Sequence, residues 1–244
     1  MVLKLIIAYD GAHFSGWQSQ ANGNAVQDVI EAVLRKIIGS RVVVHGSGRT
    51  DAGVHALGQC AHVEVPDGGL APAEWLRALN ANLPTAVRIL SARQVAEDFH
   101  ARFAAKGKIY RYVIRNAAVL PPHEADRAWH VSQKLDLSRL QSAARIFEGR
   151  QDFCAFTANR GGDVRDTHRT IHGITVTRRG TLVSLAFEGE GFLYKMVRML
   201  TGAVVRAAQN RVEVDDLRSR LETGGPRWNY VAPASGLYLV KVIY

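Results

Sequence analysis

The order of apolar patterns along the first half of this chain limits the folds that it can adopt. Strands are predicted where apolar residues alternate, and helices where they recur three and four residues apart. The predicted strands cover residues 1–10, 41–47, 55–65 and 87–95, and the predicted helices cover residues 26–38 and 72–79. The order β-α-β-β-α-β is that of a ferredoxin-like unit. We therefore expect an α+β fold with an antiparallel sheet.

The second half of the chain repeats this order. Its predicted strands cover residues 108–115, 171–177, 182–187 and 237–244, and its predicted helices cover residues 137–147, 192–209 and 214–221. Arg179 and Gly180 mark the turn of a hairpin. We therefore predict two tandem ferredoxin-like units, residues 1–104 and 105–244, with a functional cleft between them.

Charge is distributed unevenly between the two halves. The formal net charge of +9 suggests a polyanionic partner. Residues 1–105 contain nine Lys and Arg against nine Asp and Glu, whereas residues 106–244 contain 22 against 13. Contacts with a nucleic acid are therefore expected mainly from the second half. A basic surface that faces only solvent is the alternative.

Cysteine usage and hydropathy indicate the compartment. Cys60 and Cys154 are far apart and form no Cys-x-x-Cys pair, which is typical of a protein of the reducing cytosol. The apolar run at the N-terminus is too short for a signal peptide. No apolar run elsewhere approaches the roughly 18 residues that would span a bilayer. We expect a cytoplasmic protein without a membrane segment.

The motifs of several common sites are missing. The chain has no Gly-x-x-x-x-Gly-Lys-Ser/Thr run, and Gly46-x-Gly48 lacks a third glycine at dinucleotide-binding spacing. His168 and His172 are four residues apart, but the alternation around them indicates a strand, and no Cys or carboxylate accompanies them. Two-metal phosphoryl transfer needs clustered acids, which are also missing. We expect neither a nucleotide cofactor nor a metal.

One glycine-rich segment, Gly46 to Gln59, is the first candidate for an active-site loop. It joins two predicted strands and carries one carboxylate, Asp51, two residues after Arg49. Asp and Gly also suit ordinary turns, so a plain connection between strands is the alternative.

A second candidate site lies at the start of the second half. Basic residues there are interleaved with two tyrosines, an arrangement that can hold phosphates and stack a base. They are Lys106, Lys108, Tyr110, Arg111, Tyr112 and Arg115. The alternative is that the tyrosines pack within the sheet. Arg198 lies off the apolar stripe of its predicted helix, and simple exposure to solvent is the alternative to a role in a site.

Short motifs follow one another along almost the whole chain. They are Tyr9-Asp10-Gly11, Gly16-Trp17-Gln18, Gly48-Arg49-Thr50-Asp51-Ala52-Gly53-Val54-His55, Leu76-Arg77-Ala78-Leu79-Asn80, Phe99-His100-Ala101-Arg102-Phe103, Tyr110-Arg111-Tyr112, Asp152-Phe153, Arg169-Thr170-Ile171, Gly191-Phe192, Met196-Val197-Arg198, Ala232-Pro233 and Gly236-Leu237-Tyr238. In content and order they resemble the TruA family of tRNA pseudouridine synthases. One departure is Ala12, where many members have Thr after Tyr-Asp-Gly.

The resemblance implies a pseudouridine synthase fold and the isomerisation of uridine to pseudouridine at positions 38, 39 and 40 of the tRNA anticodon stem-loop. It also implies tRNA as the partner, no cofactor or metal, and a homodimer. Asp51 matches the catalytic aspartate, Arg198 the basic partner of that carboxylate, and Tyr110 the active-site tyrosine. The residues expected to bind the substrate are Arg49, Arg102, Lys106, Lys108, Tyr110 and Arg111.

The residues leave the reaction path open. An arginine partner would hold Asp51 ionised beside the ribose. Asp51 can then attack the sugar or the base, or abstract a ribose proton to give a glycal. We expect Tyr110 both to stack on the flipped uracil and to relay the C5 proton.

Two other functions compete with this one. A non-catalytic RNA-recognition module is disfavoured, because the chain has no Lys/Arg-Gly-Phe/Tyr-Gly/Ala-Phe-Val motif. A related synthase that acts on other uridines would share every motif quoted above.

Overall fold

The computed structural model describes residues 1–21, 23–158 and 166–244. In this part of the chain the strands are β1 (Val2–Tyr9), β2 (His45–Gly46), β3 (His55–Glu64), β4 (Val87–Val95), β5 (Gly107–Arg115), β6 (Trp129–His130), β7 (Gly149–Asp152), β8 (His168–Arg179), β9 (Leu182–Gly189) and β10 (Leu237–Ile243). The helices are α1 (Val26–Ile38), α2 (Pro72–Asn82), α3 (Leu137–Arg145), α4 (Met196–Ala208) and α5 (Val214–Thr223). The predicted α+β class is confirmed. None of these described helices combines the length and the apolar character that crossing a bilayer requires.

The chain forms two compact units. Unit 1 consists of residues Met1–Lys106 and Tyr238–Tyr244, and unit 2 consists of residues Gly107–Leu237. The sequence predicts that the whole end of the chain belongs to the second unit. Most of β10 instead belongs to unit 1, because Tyr238 and Leu239 pair in parallel with His55 and Ala56 of β3.

The sheet of unit 1 has the ferredoxin-like order. β1 lies between β3 and β4 and is antiparallel to both. β2 is antiparallel to β3 and pairs with its other edge. The order β4-β1-β3-β2 is the one that a β-α-β-β-α-β unit adopts. β10 shares the edge of β3 with β2, and the two pair with opposite ends of that strand.

The strand predicted at 41–47 is much shorter than expected. His45 and Gly46 pair with β3, opposite His62 and Ala61, and the Ser47 N–H donates to the Cys60 carbonyl of β3 at 2.8 Å. The three valines at 42–44 gave the strand prediction, but Val43 is 45% exposed and the Val44 N–H donates to the Glu31 carboxylate on α1. This part of the chain is therefore bound to a helix and not to the sheet.

Alternation along β1 separates the two faces of the unit 1 sheet. Leu3, Leu5 and Ile7 are fully buried on one face. Lys4 lies on the other face, where its ammonium group sits 3.7 Å from the centre of the Tyr244 ring. The buried residues Ile30 and Leu34 of α1 and Leu79 of α2 complete the apolar core of this unit.

The main strands of unit 2 pair antiparallel in the order β5-β9-β8-β7, and the short strand β6 runs parallel to β5. α3 packs against α4, whose residues Leu200 and Val204 are fully buried. The predicted β8–β9 hairpin is confirmed.

The long helix of unit 2 starts later than its apolar pattern suggested. The prediction began at Phe192, but α4 begins at Met196. Lys195 has a positive φ of 59°, which a right-handed helix cannot contain. Leu193 therefore begins a turn before the helix, closed by a hydrogen bond from the Met196 N–H to the Leu193 carbonyl, and Phe192 precedes that turn.

Candidate active site

The loop between β2 and β3 holds Asp51 at the first position of a tight turn. The Val54 N–H donates to the Asp51 carbonyl at 3.1 Å. Gly53, the third residue of this turn, has a φ of 78°, a conformation that glycine adopts without strain. The Asp51 side chain is half-buried. The Asp-Ala-Gly sequence therefore makes the turn, and its first residue is the candidate carboxylate.

The segment Gly16–Gln18 packs closely against the loop. The Trp17 N–H donates to the Thr50 carbonyl at 3.1 Å. A Cβ atom at Gly16 would lie 2.6 Å from that carbonyl oxygen, and one at Gly46 would lie 2.4 Å from Nε1 of Trp17. Neither position can hold a side chain without a shift of the backbone or of the indole. The Gly-Trp motif therefore packs directly against one side of the Asp51 loop.

A buried hydrogen-bond network holds the other side of the loop. The Gln59 side chain, which is fully buried, accepts from the Ser47 hydroxyl at 2.7 Å and donates to the Gly48 carbonyl at 3.0 Å. The Tyr9 hydroxyl lies 2.7 Å from Oγ1 of Thr50 and also interacts with Gln59. The backbone before Asp51 is therefore fixed to β1 and β3.

The end of the loop is held by the Tyr-Asp-Gly motif. A Cβ atom at Gly11 would lie 2.1 Å from the Val54 carbonyl oxygen, so only glycine allows this approach. The Gly11 N–H donates to Nδ1 of His55 at 3.1 Å, and the His55 ring stacks on Tyr238 with ring centres 4.6 Å apart. Ala12, the departure from the family motif, donates its N–H to the Asp10 carboxylate at 3.2 Å.

Arg49 is exposed, and its position is set by the same surroundings. Its Nε donates to Oε1 of Gln18 at 3.1 Å. The amide nitrogen of Gln18 in turn donates to Gln27 at the start of α1, at 2.9 Å. The predicted substrate-binding arginine is therefore oriented by the residue that follows Trp17.

Tyr110 lies in β5 of unit 2 and is 8% exposed. Its ring meets the Phe192 ring edge to face, with centres 5.2 Å apart. The regular pairing of β5 with β9 places Lys108 and Tyr110 on one face of the strand and Arg111 on the other. These residues, which the sequence grouped together, therefore point to two different faces.

Arg198 lies in the first turn of α4 and is half-buried. Its Nε donates to the Ala232 carbonyl at 2.8 Å, and the Ala232 N–H donates back to the Arg198 carbonyl at 3.1 Å. Burial raises the pKa of the neighbouring Tyr112 hydroxyl, and the charge of Arg198 partly offsets that rise. The guanidinium is thus oriented by the Ala-Pro motif, which rules out the alternative of a fully solvated arginine.

The remaining predicted RNA-binding residues differ in exposure. Arg102 and Lys106 are exposed, whereas Lys108 and Arg111 are half-buried. Arg115, also part of the basic pattern, forms an ion pair with Glu124 within unit 2. In the described part of the chain, no group of three or more His, Cys, Asp or Glu side chains is arranged to hold a metal ion.

The sequence did not identify the residues that hold the loop. Gln59 is the clearest case, since it lies among buried residues of β3 at a position where an apolar side chain would be expected. A glutamine in such a strand is the available signal, because a buried amide needs hydrogen-bond partners. Tyr9, Thr50 and Trp17 lie within the family motifs, but the sequence alone assigns them no role.

Comparison with known proteins gives one consistent result. A family model described as tRNA pseudouridine synthase matches residues 5–104 and 143–244 of this chain. This match includes Asp51 and Arg198 and leaves out Tyr110.

Relatives named tRNA pseudouridine synthase A match over almost the full length. The protein of Akkermansia muciniphila is 43% identical over 250 residues, which cover 99% of this chain and 94% of the relative. The protein of Acetivibrio thermocellus is 40% identical over 243 residues, which cover 99% of this chain and 99% of the relative. The protein of Geobacillus kaustophilus is 40% identical over 99% of this chain and 94% of its own length.

Proposed function

The chain belongs to the tRNA pseudouridine synthase family, and from this premise we propose that it modifies uridines 38, 39 and 40 of the tRNA anticodon stem-loop. Conversion of uridine to pseudouridine in tRNA is the activity of the family. The observation that carries the proposal is the Asp51 loop, whose backbone is bonded to Trp17, Gln59 and neighbouring motif residues. Such a loop fixes the backbone that carries the carboxylate, and catalysis requires a well-defined position of the reacting group.

The reaction is an isomerisation that needs few chemical groups. The bond between C1′ and N1 breaks, the uracil turns, and a bond forms between C1′ and C5. N1 gains a proton and C5 loses one, so no electrons are transferred to or from the substrate. A carboxylate beside the ribose and a group that moves the C5 proton therefore suffice.

We assign the carboxylate to Asp51, which acts as nucleophile or base. Arg198 is its ion-pair partner in this proposal, because a guanidinium fixed by the Ala232 carbonyl has a defined direction in which to hold an anion. Pairing with an arginine favours the ionised form of a carboxylate and orients it toward the sugar.

Tyr110 is assigned to the flipped uracil, both as a stacking surface and as the group that relays the C5 proton. Its ring meets that of Phe192 edge to face, a contact that helps to fix the tyrosine. Stacking of a base on an aromatic ring contributes roughly 1–3 kcal/mol, which offsets much of the cost of taking a nucleotide out of its helix.

The tRNA backbone is bound in this proposal by basic residues of both units. They are Arg49, Arg102, Lys106, Lys108 and Arg111. The excess of basic residues in 106–244 supports this assignment, since neutralisation of phosphates dominates the affinity for nucleic acids. We further propose that the protein works in the cytoplasm as a homodimer, in which one tRNA contacts both subunits. The free thiols of Cys60 and Cys154 agree with a reducing compartment.

The proposal is tested by tritium release from tRNA transcripts labelled at C5 of uridine, with a chelator present. We expect release by the native protein and none by Asp51→Asn, which keeps the shape of the side chain and should bind tRNA with nearly unchanged affinity. Asp98→Asn is the matched control, since Asp98 is an exposed carboxylate of the same unit. Turnover retained by Asp51→Asn would eliminate the role of Asp51.

Transcripts that lack uridine at position 38, 39 or 40 locate the modified sites. Release that persists when all three are absent would assign the protein to the related synthases that act on other uridines. Binding of tRNA without any release would favour a non-catalytic RNA-binding protein.

A further inference from the structure

Four aromatic rings contact one another in unit 1, and none of them belongs to the residues described above as holding the Asp51 loop. They belong to His45, His62, His100 and Phe103, and we call them the aromatic ladder. The His62 ring stacks on His45 with centres 4.9 Å apart and meets His100 at 4.6 Å. The Phe103 ring stacks on His100 with centres 4.3 Å apart and an angle of 29° between the planes. The ladder thus passes from the exposed His45 over the buried His62 and then His100 to a terminal phenylalanine.

The terminal ring is exposed to an unusual degree. Phe103 is 77% exposed, whereas His62 is 6% exposed. Burying a phenylalanine contributes about 1.5–3 kcal/mol, so folding alone gives little reason for a phenylalanine at this position. One face of the ring covers His100, and most of the side chain is open to a partner.

The backbone that carries Phe103 is firmly held. The N–H of the fully buried Ala101 donates to Nδ1 of His62 at 3.1 Å, and its carbonyl accepts from the Tyr244 hydroxyl at 2.8 Å. The Phe99 ring lies beside Tyr244 with centres 5.3 Å apart. Because these bonds fix the backbone at Ala101 and the ring stacks on His100, the exposed ring loses little freedom when it binds.

The surroundings of the exposed ring are basic. The Arg102 guanidinium lies 5.7 Å from the centre of the Phe103 ring. Lys106 is exposed three residues further on, and residues 99–106 contain no Asp or Glu. An exposed aromatic ring flanked by cations is the combination with which proteins bind single-stranded nucleic acids.

We propose that Phe103, supported by His100 and flanked by Arg102, is a stacking site for an unpaired base of the RNA substrate, distinct from the site of the isomerised uridine. The inference rests on tRNA being the substrate. The ring stacks on the base, and Arg102 neutralises an adjacent phosphate. The contact is tolerant of sequence, because every base has a face that can stack.

The experiment measures binding of an unmodified tRNA transcript to Phe103→Ala, Phe103→Trp and Leu90→Ala. Leu90 is a matched control, since it is an exposed apolar residue of the same unit, on β4, and is 54% exposed. We expect Phe103→Ala to raise the Kd about tenfold, which corresponds to roughly 1.4 kcal/mol. Phe103→Trp, which keeps an aromatic face, and Leu90→Ala should stay within about twofold. Turnover at saturating tRNA should be unchanged in all three.

The outcomes separate this inference from the proposed function. A native protein that neither binds nor isomerises tRNA would refute the function itself. A native protein that does both, with an unchanged Kd for Phe103→Ala, would overturn only the stacking site. Sedimentation of each variant completes the test: a native dimer that becomes a monomer in Phe103→Ala would assign the ring to an interface between copies of this chain and would also overturn the proposal.

Discussion

The hydroxyl of Tyr9 lies 2.7 Å from Oγ1 of Thr50, the residue that precedes Asp51. Tyr9 is 4% exposed, and burial raises the pKa of its hydroxyl, so the group remains neutral and able to donate. This bond joins the middle strand β1 to the loop at the residue next to the candidate carboxylate.

Thr50→Val should lower both stability and turnover. The valine has nearly the same shape but leaves the buried Tyr9 hydroxyl without its threonine partner, which costs about 1–3 kcal/mol of unfolding free energy. Turnover should fall while the Kd for tRNA changes little, because Asp51 loses a fixed neighbour. Thr50→Ser, which keeps the hydroxyl, is the control. Denaturant unfolding and single-turnover rates measure the two effects, and equal behaviour of Val and Ser variants would refute the role of the bond.

Gln59→Glu should damage the loop more than its small size change suggests. The amide nitrogen that donates to the Gly48 carbonyl becomes a carboxylate oxygen, so a donor is replaced by an acceptor in a fully buried position. We expect a loss of about 2 kcal/mol or more in unfolding free energy, together with slower turnover. Gln94→Glu, at an exposed position of β4, should change stability by no more than about 0.5 kcal/mol. A neutral Gln59→Glu would show that the network does not fix the loop.

Tyr110→Phe should separate the two proposed uses of that residue. The phenylalanine keeps the ring, so the Kd for tRNA should remain within about twofold, because stacking does not need the hydroxyl. Turnover should fall by about 100-fold or more, because the group that relays the C5 proton is lost. Tyr110→Ala should lose affinity as well. Turnover is measured as pseudouridine formed per enzyme. Full turnover by the phenylalanine variant would show that the hydroxyl takes no part in the reaction.

Stability should fall as the pH drops from neutrality toward 4. Burial, followed by the charges of His100 and His45, lowers the pKa of His62 from 6.5 to about 4, with Glu64 acting in the opposite direction. Between these values the unfolded chain binds a proton that folded His62 does not, so the unfolding free energy decreases as the pH falls. Below a pH of about 4 this contribution levels off.

Thermal unfolding of His62→Gln across the same pH range provides the test. The slope of its melting temperature with pH should be shallower than that of the native protein. His13→Gln, at a histidine whose side chain is 64% exposed, is the control variant. Identical slopes for the native protein and His62→Gln would place the pH dependence elsewhere.

Binding of tRNA should weaken steeply with salt. Each phosphate contact contributes about 0.7–0.9 to the slope of log K against log salt concentration, through release of counterions. Lys106→Ala should therefore reduce the slope by about that amount. Lys36→Ala is the control, since this exposed lysine of α1 donates instead to Asn82. An affinity of the native protein for tRNA that does not depend on salt would contradict the proposed contacts. So would a salt dependence that Lys106→Ala leaves unchanged.

The sequence by itself determined most of the elements. Apolar periodicity predicted β1, α1, α2, β4 and β5 close to their observed bounds, because it reports which face of a segment must be buried. The family motifs identified the chemistry, because residues such as Asp51 and Arg49 occur in a fixed local order. The roles of Asp51, Arg198 and Tyr110 remain predictions that the experiments above address.

Only the tertiary structure decided which segments share a strand edge and how buried polar groups are satisfied. β10 pairs with β3 across a sequence separation of about 180 residues, and the 41–44 segment bonds to α1 through Glu31 despite its three valines. The contacts of Gln59 and the stacking of Phe103 on His100 likewise depend on residues that fold together from different elements. A local sequence pattern reports which side chains of a single helix or strand are buried. The pairing of strand edges and the hydrogen bonds of buried polar groups depend instead on partners that only the folded chain brings close.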